Sequence, residues 1–427
     1  MNDPNNPYSL DSQSSFEREA FLVFVLALIV RIVSVLLYRN FIGTPYNLWN
    51  FETEGFGDFN YFYLQWARNF PFSNWYPYSY GNEIEALNNY SYTPFFLYLI
   101  SLFGFPGLPD WAPAIPLVLL DAGCVTIIYL ILRIYMTKRK ALIGSTIFCF
   151  AAVNIFYIDI YWLNPAPMTF FLLLSVYFLL KKRVYPVIFA IIFSVMMKQT
   201  GLYYLPLVLV FILGRESTKS WWKLIIFVAT LLIVLQMPYI LITPEDYISH
   251  LFMTPKPSLS MVVSEPSNNS PISLSQFLKY GLGVGGIPLR AISFLVNSYI
   301  LLYACIALFS SYSYFTFRKE KMGEWQFIYL LTINGLLSFL LIPKGLYKYY
   351  LSSLMPLFIV SVWYSLDRLE LPNIQRCILA ILILVFNLII ILIPRIYTPA
   401  TLILMLSVII ILYRKCRNIS TKSMTNR

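Results

Sequence analysis

The chain has 427 residues, of which 59% are hydrophobic and 12% are charged, and its mean hydropathy is +0.68. Soluble globular proteins contain about 25% charged residues, so this composition excludes a soluble domain and indicates a polytopic membrane protein. The net charge of +11 does not indicate nucleic-acid binding, because the Lys and Arg residues lie in short clusters between apolar segments. The five cysteines show no metal or redox spacing.

Apolar segments alternate with short polar stretches along the chain, and they predict about twelve transmembrane helices. The predicted fold class is therefore all-α, a polytopic membrane helical bundle. Residues 1–19 are polar, and we expect a cytoplasmic tail there and not a cleaved signal peptide. The predicted spans are, in chain order, residues 20–41, 112–136, 140–158, 162–180, 184–198, 201–214, 221–243, 287–313, 325–343, 349–366, 373–394 and 397–413. Residues 414–427 form a second predicted cytoplasmic tail.

Five basic clusters predict the orientation of these spans. They lie at residues 138–140, 181–183, 215–223, 318–321 and 414–417. Lys and Arg accumulate in cytoplasmic loops, so the clusters place both termini in the cytoplasm. Two long loops then face the outer side, at residues 43–111 and 243–286. We expect any reaction chemistry on that side, because all the cytoplasmic loops are short.

An apolar stretch inside the first outer loop, TPFFLYLISLFGF at residues 93–105, does not cross the membrane in this topology. A spanning helix needs about 20 residues, and this stretch is shorter. We therefore predict a re-entrant or interfacial helix.

Lysine and glutamine stand within an apolar run in MKQTGLYYLP, residues 197–206. A lysine at a bilayer centre costs roughly 2.5–3.5 kcal/mol, so Lys198 is expected near the outer ends of two short spans and beside an anion. The alternative is that Lys198 only extends its ammonium to the interface. Arg31 and Asp121 lie within predicted spans, where helix packing is the simpler role for each.

Three stretches together resemble glycosyltransferases of the GT-C fold that use polyprenyl-phosphate sugars. The likeness is nearest to the dolichyl-phosphate-glucose-dependent glucosyltransferases of lipid-linked oligosaccharide assembly. MKQTGLYYLP resembles the K-Q-x-x-L-Y-x-x-P segment of that family. GDFNYFYLQW at 57–66 resembles its first-loop Gly-Asp-aromatic motif, and YTPFFLYL at 92–99 resembles the Y-P-P-L-x-x-Y segment that follows. The resemblance covers residues 20–215 as a catalytic module, whereas residues 216–413 match only in plan.

The resemblance implies inverting transfer of a hexose, glucose or mannose, on the extracytoplasmic face. The donor would be a polyprenyl or dolichyl phosphate sugar, and the acceptor a lipid-linked glycan or a similar molecule. Asp58 matches the family's catalytic Asp and would take the proton from the acceptor hydroxyl. Asp159, in the second outer loop, is the second candidate catalytic carboxylate.

The departing phosphate needs cations and hydrogen-bond donors. The candidate substrate-binding residues are Lys198, Gln199, Lys348, Arg290 and Tyr92, with Lys344 a weaker candidate. No protein metal site is assigned. Mg²⁺ or Mn²⁺ bridging Asp58 and Asp159 to the phosphate stays an open alternative, because these metals bind carboxylates and phosphates.

Other classes remain open at this stage. They are a transporter or flippase of a lipid-linked sugar, a polysaccharide polymerase or ligase, and a non-catalytic GT-C relative. The lack of an internal repeat argues against a transporter. The expected partners are the lipid-linked donor and acceptor and the membrane lipids, without nucleic acid. The compact chain without a retention signal favours a prokaryotic plasma membrane, such as an archaeal one, over the endoplasmic reticulum.

Overall fold

The computed structural model describes residues 10–38, 57–70, 77–78, 92–215, 221–248, 265–266, 271–297, 299–320, 324–343 and 345–425. Within these ranges the regular structure is helical, apart from one isolated antiparallel β-bridge between Ile272 and Leu346. The predicted all-α class is therefore confirmed. Much of the two predicted outer loops, and Lys344, lie outside the described residues.

The α-helices of six or more residues are numbered in chain order. They are α1 (Leu10–Leu37), α2 (Leu64–Asn69), α3 (Pro94–Ser101), α4 (Ile115–Tyr135), α5 (Lys138–Cys149), α6 (Pro165–Leu180), α7 (Val184–Met197), α8 (Leu205–Arg215), α9 (Trp221–Ile242), α10 (Gly286–Asn297), α11 (Ile300–Glu320), α12 (Glu324–Leu340), α13 (Leu351–Arg368), α14 (Asn373–Leu392) and α15 (Thr398–Thr425). Short π-helices cover Phe59–Tyr63 and Ile155–Ile160, and short 3₁₀ helices cover Gln199–Tyr203 and Lys348–Tyr350.

Among the described residues, six helices are long and apolar enough to cross a membrane. They are Phe16–Leu37, Ala112–Tyr135, Trp222–Ile242, Lys348–Arg368, Asn373–Leu392 and Arg395–Asn418. A seventh arises if Lys138–Cys149 and Ala152–Ile160, which meet at a bend of 40°, count as one span. The molecule is thus a helical membrane protein, but the predicted count of about twelve spans is not confirmed.

The remaining predicted spans are helical but short or interrupted. Helices α6 and α7 have 16 and 14 residues. The predicted span 287–313 is two helices, α10 and α11, and Tyr299 at their junction has a left-handed backbone with φ of 59°. A hydropathy window averages over such a break, because apolar residues surround the polar pair Asn297 and Ser298.

Helix α4 lies at the centre of the N-terminal half, in contact with α1, α5 and α6. Gly123 permits the close approach of α4 to α6, since a Cβ atom there would lie 2.6 Å from the ring of Phe170. Large apolar side chains on α1, including Phe21 and Leu26, remain exposed. Exposed apolar side chains on a spanning helix suit contact with lipid.

Helix α7 ends at Met197, and the predicted break at Lys198 is present. Lys198 has an extended backbone, and the 3₁₀ helix Gln199–Tyr203 then leads into α8. Gly201 is needed in this turn, because a Cβ atom there would lie 2.8 Å from the backbone nitrogen of Val195. The predicted helix within 93–105 is also present as α3, which has eight residues and begins with Pro94.

Candidate functional site

Lys198 is buried at the C-terminal end of α7, with 2% of its surface exposed. Its ammonium donates a hydrogen bond to the Asn164 side-chain oxygen over 2.7 Å. Three aromatic rings face the same ammonium. The distances from Nζ to the ring centroids are 4.1 Å for Tyr350, 5.2 Å for Tyr349 and 6.0 Å for Tyr92. Ring faces attract cations strongly when water is absent, so this enclosure stabilises a buried charge. We call these four residues around Lys198 the lysine enclosure.

Local backbone structure brings Asn164 into the enclosure. Trp162, two residues earlier, has a left-handed φ of 59°, which is uncommon for a large side chain. The Leu163 amide donates to the Tyr157 carbonyl over 3.1 Å, and Pro165 starts α6 at its first turn. Proline suits that position because its missing N–H has no helical partner there. The tight turn therefore aims the fully buried Asn164 towards Lys198.

Asp58 lies immediately before the π-helix Phe59–Tyr63 and is partly buried. Burial raises the pKa of its carboxyl group, and the positive charge of Lys198 lowers it in part. The charge of Lys198 thus acts on Asp58 through space, while its ammonium donates a hydrogen bond to Asn164. Gly57 fits here because a Cβ atom would lie 2.7 Å from the ring of Tyr61.

Aromatic contacts connect Asp58 to the rest of the site. The Phe59 ring lies 4.7 Å from the ring of Trp162, and the Tyr63 ring lies 5.3 Å from that of Phe96 in α3. Tyr92 packs against Tyr63 at 6.5 Å, and burial together with the charge of Asp58 raises the pKa of Tyr92 to about 12. Tyr92 therefore keeps its hydroxyl proton and remains a hydrogen-bond donor at neutral pH.

Asp159 lies in a separate buried ion cluster. Its Oδ2 is 2.9 Å from Arg31 Nε, and Asp121 Oδ2 is 2.7 Å from an Arg31 terminal nitrogen. Asn154 donates to the other Asp121 oxygen over 3.0 Å, and Arg31 also donates to the Cys149 carbonyl. Two carboxylates thus share one guanidinium, and the Asp159 carboxylate faces Arg31. The role of Asp159 in a reaction remains a prediction.

The other predicted substrate-binding residues occupy different surroundings. Lys348 is buried and donates to the carbonyls of Ile391 and Ile393, which end α14. Helix C-termini attract cations, so Lys348 has a local structural role there. Arg290 is exposed on α10, and Gln199 is partly buried at the start of its 3₁₀ helix.

Sequence reasoning missed Asn164, Tyr349 and Tyr350 as site residues. Tyr349 and Tyr350 follow Lys348 in the basic and aromatic run IPKGLYKYYL, which was the available signal. A metal ion bridging Asp58 and Asp159 would have to compete with Arg31 for the Asp159 carboxylate. In the described part of the chain, no three His, Cys, Asp or Glu side chains are grouped to hold a metal.

An apolar groove lies beside the site. It has a volume of about 460 Å³ and is lined by α1, α4 and Trp162. Leu28 and Ile32 contribute from α1, and Ile115 and Val118 from α4. Because Trp162 contacts Phe59, the groove adjoins the segment that holds Asp58. No known protein family and no curated protein shows a significant match to this chain.

Proposed function

We propose that the protein is a membrane glycosyltransferase of the GT-C type, which transfers a hexose from a polyprenyl or dolichyl phosphate to a lipid-linked glycan. One observation supports this most directly. The Lys198 ammonium lies inside an aromatic enclosure built by both halves of the chain, and its positive charge lowers in part the pKa of the Asp58 carboxyl group, which comes from a third segment.

The proposed roles follow from the charges that the reaction develops. The acceptor oxygen forms a bond to the anomeric carbon while the bond from that carbon to the phosphate oxygen breaks, which inverts the centre. Asp58 takes the acceptor hydroxyl proton as general base, and burial strengthens it by raising its pKa. The polyprenyl or dolichyl phosphate leaves as a phosphate monoester, and Lys198 stabilises its negative charge.

The aromatic residues suit the sugar of such a donor, and the apolar groove suits its isoprenoid chain. The rings of Tyr92, Tyr349 and Tyr350 offer flat faces against which a sugar ring packs. The groove between α1 and α4 offers an apolar surface for an isoprenoid chain. Glucose and mannose both remain candidates for the sugar, and the extracytoplasmic face of a prokaryotic plasma membrane remains the proposed location.

A transporter or flippase of a lipid-linked sugar is the second candidate. The buried cluster of Arg31, Asp121 and Asp159 favours it, because ionisable residues inside spanning helices often mark transport pathways. The break between α10 and α11 also resembles the discontinuous helices of transporters. A catalytically inactive relative is the third candidate.

The test is a transfer assay in nanodiscs with dolichyl-phosphate glucose, dolichyl-phosphate mannose and a mixed glycolipid acceptor pool. We expect labelled product with the wild type and its loss with Asp58→Asn. The matched control is Asp110→Asn, since Asp110 is an exposed loop carboxylate paired with Arg68. Equal product from the Asp58→Asn variant would overturn the base assignment. No product with either donor, together with movement of a labelled lipid-linked sugar across vesicles, would support the transporter instead.

A further inference from the structure

The end of α7 remote from Lys198 borders a second cavity, with a volume of about 320 Å³. Its floor is apolar and includes Val187 from α7 and Phe211 from α8, both of them buried. Its rim carries Lys182 and Arg183 from the turn between α6 and α7, and both side chains are exposed. The cavity thus combines a basic rim with an apolar interior.

The turn holds Lys182 in an unfavourable backbone conformation. Lys182 has a left-handed φ of 57°, at a helix C-terminus where glycine is the usual residue. Its amide donates to the Leu179 carbonyl over 3.0 Å, and the Arg183 amide donates to the Phe178 carbonyl over 3.0 Å. These two hydrogen bonds end α6 in a Schellman motif, in which glycine usually occupies the position of Lys182. Glycine would suit this turn better, so the Lys182 side chain places a cation at the rim at a cost in backbone energy.

The charges at this rim are not neutralised within the described part of the chain. No carboxylate there lies within ion-pair distance of Lys182 or Arg183, although Glu324 at the start of α12 also lines the cavity. Among the described residues that line the cavity, one carboxylate stands against two cations, so this lining is net positive. An anion that enters would meet both cations above an apolar floor.

We propose that this cavity binds the headgroup of an anionic phospholipid, such as phosphatidylglycerol. The phosphate would pair with Lys182 and Arg183, and the upper part of an acyl chain would lie against Val187 and Phe211. Basic pockets between helices at the cytoplasmic interface bind anionic headgroups in this manner. The basic cluster at 181–183 is itself predicted to lie on the cytoplasmic side, so the cavity would be at the cytoplasmic interface of the membrane. A soluble phosphate would use the rim and gain nothing from the floor.

The test compares lipid binding to the full chain in neutral detergent, with titrated phosphatidylglycerol or phosphatidylcholine of the same acyl chains, by native mass spectrometry and by thermal shift. We expect the wild type to bind phosphatidylglycerol preferentially. The double variant Lys182→Gln/Arg183→Gln should bind it at least about tenfold more weakly, since each interfacial basic residue contributes measurably to the attraction. Inorganic phosphate should raise the melting temperature of the wild type and of the double variant by the same small amount, because it gains nothing from the apolar floor.

Arg139→Gln is the matched control, because Arg139 is an exposed basic residue of another predicted cytoplasmic cluster and does not line the cavity. An equal loss of binding in Arg139→Gln would show a diffuse surface-charge effect and overturn the proposal. Equal binding of both lipids by the wild type would also overturn it. Lys182→Gly separates binding from folding, since we expect a higher melting temperature without lipid and a smaller gain from phosphatidylglycerol.

Discussion

The ammonium of Lys198 lies 4.1 Å from the centroid of the Tyr350 ring. Lys198 immediately follows α7 in the N-terminal half, whereas Tyr350 immediately precedes α13 in the C-terminal half. The two halves therefore build the candidate site together. The predicted catalytic module, residues 20–215, does not contain the whole candidate site, because the run around Tyr350 completes it.

Replacing Tyr350 by leucine removes the ring face from a buried cation. Such an interaction contributes about 2 kcal/mol when it is desolvated, so Tyr350→Leu should lower the stability by about that amount and raise the KM for the donor. Tyr350→Phe keeps the ring and should stay near the wild type in both. The measurements are thermal denaturation in detergent and donor titration. Tyr312→Leu is the control, because Tyr312 is exposed on α11. Equal effects of the phenylalanine and leucine variants would show that the hydroxyl matters and not the ring.

The pH profile of transfer reports on Asp58. A general base must be deprotonated, so the rate should fall as the pH drops through the pKa of Asp58. Burial raises that pKa above its ordinary value of 3.8, and the charge of Lys198 opposes the increase. The acid limb of kcat/KM should therefore lie above the ordinary value for aspartate, and Lys198→Gln should move the limb to still higher pH. The control Arg139→Gln should leave the limb in place. An acid limb that stays at the same pH in Lys198→Gln would show that the charge of Lys198 does not affect the pKa of Asp58.

The ion cluster around Arg31 predicts which of its variants loses more stability. Arg31→Met leaves two buried carboxylates without a cation and should cost about 3–5 kcal/mol. Asp159→Asn should cost less, because Asp121 remains paired with Arg31. Thermal denaturation of both variants in the same detergent tests this order. The reverse order would mean that the carboxylates are neutral in the folded protein.

The Asp159→Asn variant also tests the second predicted catalytic carboxylate. Because the Asp159 carboxylate faces Arg31, we expect the folded variant to keep its activity to within about tenfold, far less than the effect of removing a general base. A loss as large as that of Asp58→Asn would instead assign Asp159 to the reaction, as the resemblance implies.

A variant of Lys348 can show whether this cation stabilises the structure or binds the substrate. Its ammonium donates to the carbonyls of Ile391 and Ile393, and each hydrogen bond to a charged group contributes about 1.5–3 kcal/mol. Lys348→Met should therefore lower the melting temperature clearly and leave the donor KM nearly unchanged. A raised KM with normal stability would support the phosphate-binding role that the sequence predicts.

Local patterns predicted the helices well. The predicted span 112–136 coincides with the observed Ala112–Tyr135, and the break at Lys198 was read from polar residues inside an apolar run. Hydropathy and turn residues are local signals that extend over a few positions, so they can be read from a single sequence. The span count is not confirmed, and the predicted span 287–313 is broken at Tyr299, where hydropathy averaged the polar pair Asn297 and Ser298 with their apolar neighbours.

The site was predictable only in part. Asp58 was predicted from the resemblance and Lys198 from its place in an apolar run, and the charge of Lys198 lowers in part the pKa of Asp58, while their roles stay predictions. The contacts of Tyr350 with Lys198, and of Arg31 with Asp159, join positions far apart in the chain. Neither contact leaves a periodic or spaced signal, because each arises from packing of whole helices.

The 14-residue length of α7 has a consequence for the surrounding bilayer. At 1.5 Å per residue this helix rises about 21 Å, whereas the hydrocarbon core of a typical membrane is about 30 Å thick. If α7 spans the bilayer with its basic turn at one surface, Lys198 lies below the opposite surface unless the lipid around it is thinner. Hydrophobic mismatch would then be concentrated beside the lysine enclosure. Membranes of shorter acyl chains would relieve it, so bilayer thickness becomes a control on how readily a lipid-borne phosphate reaches the ammonium.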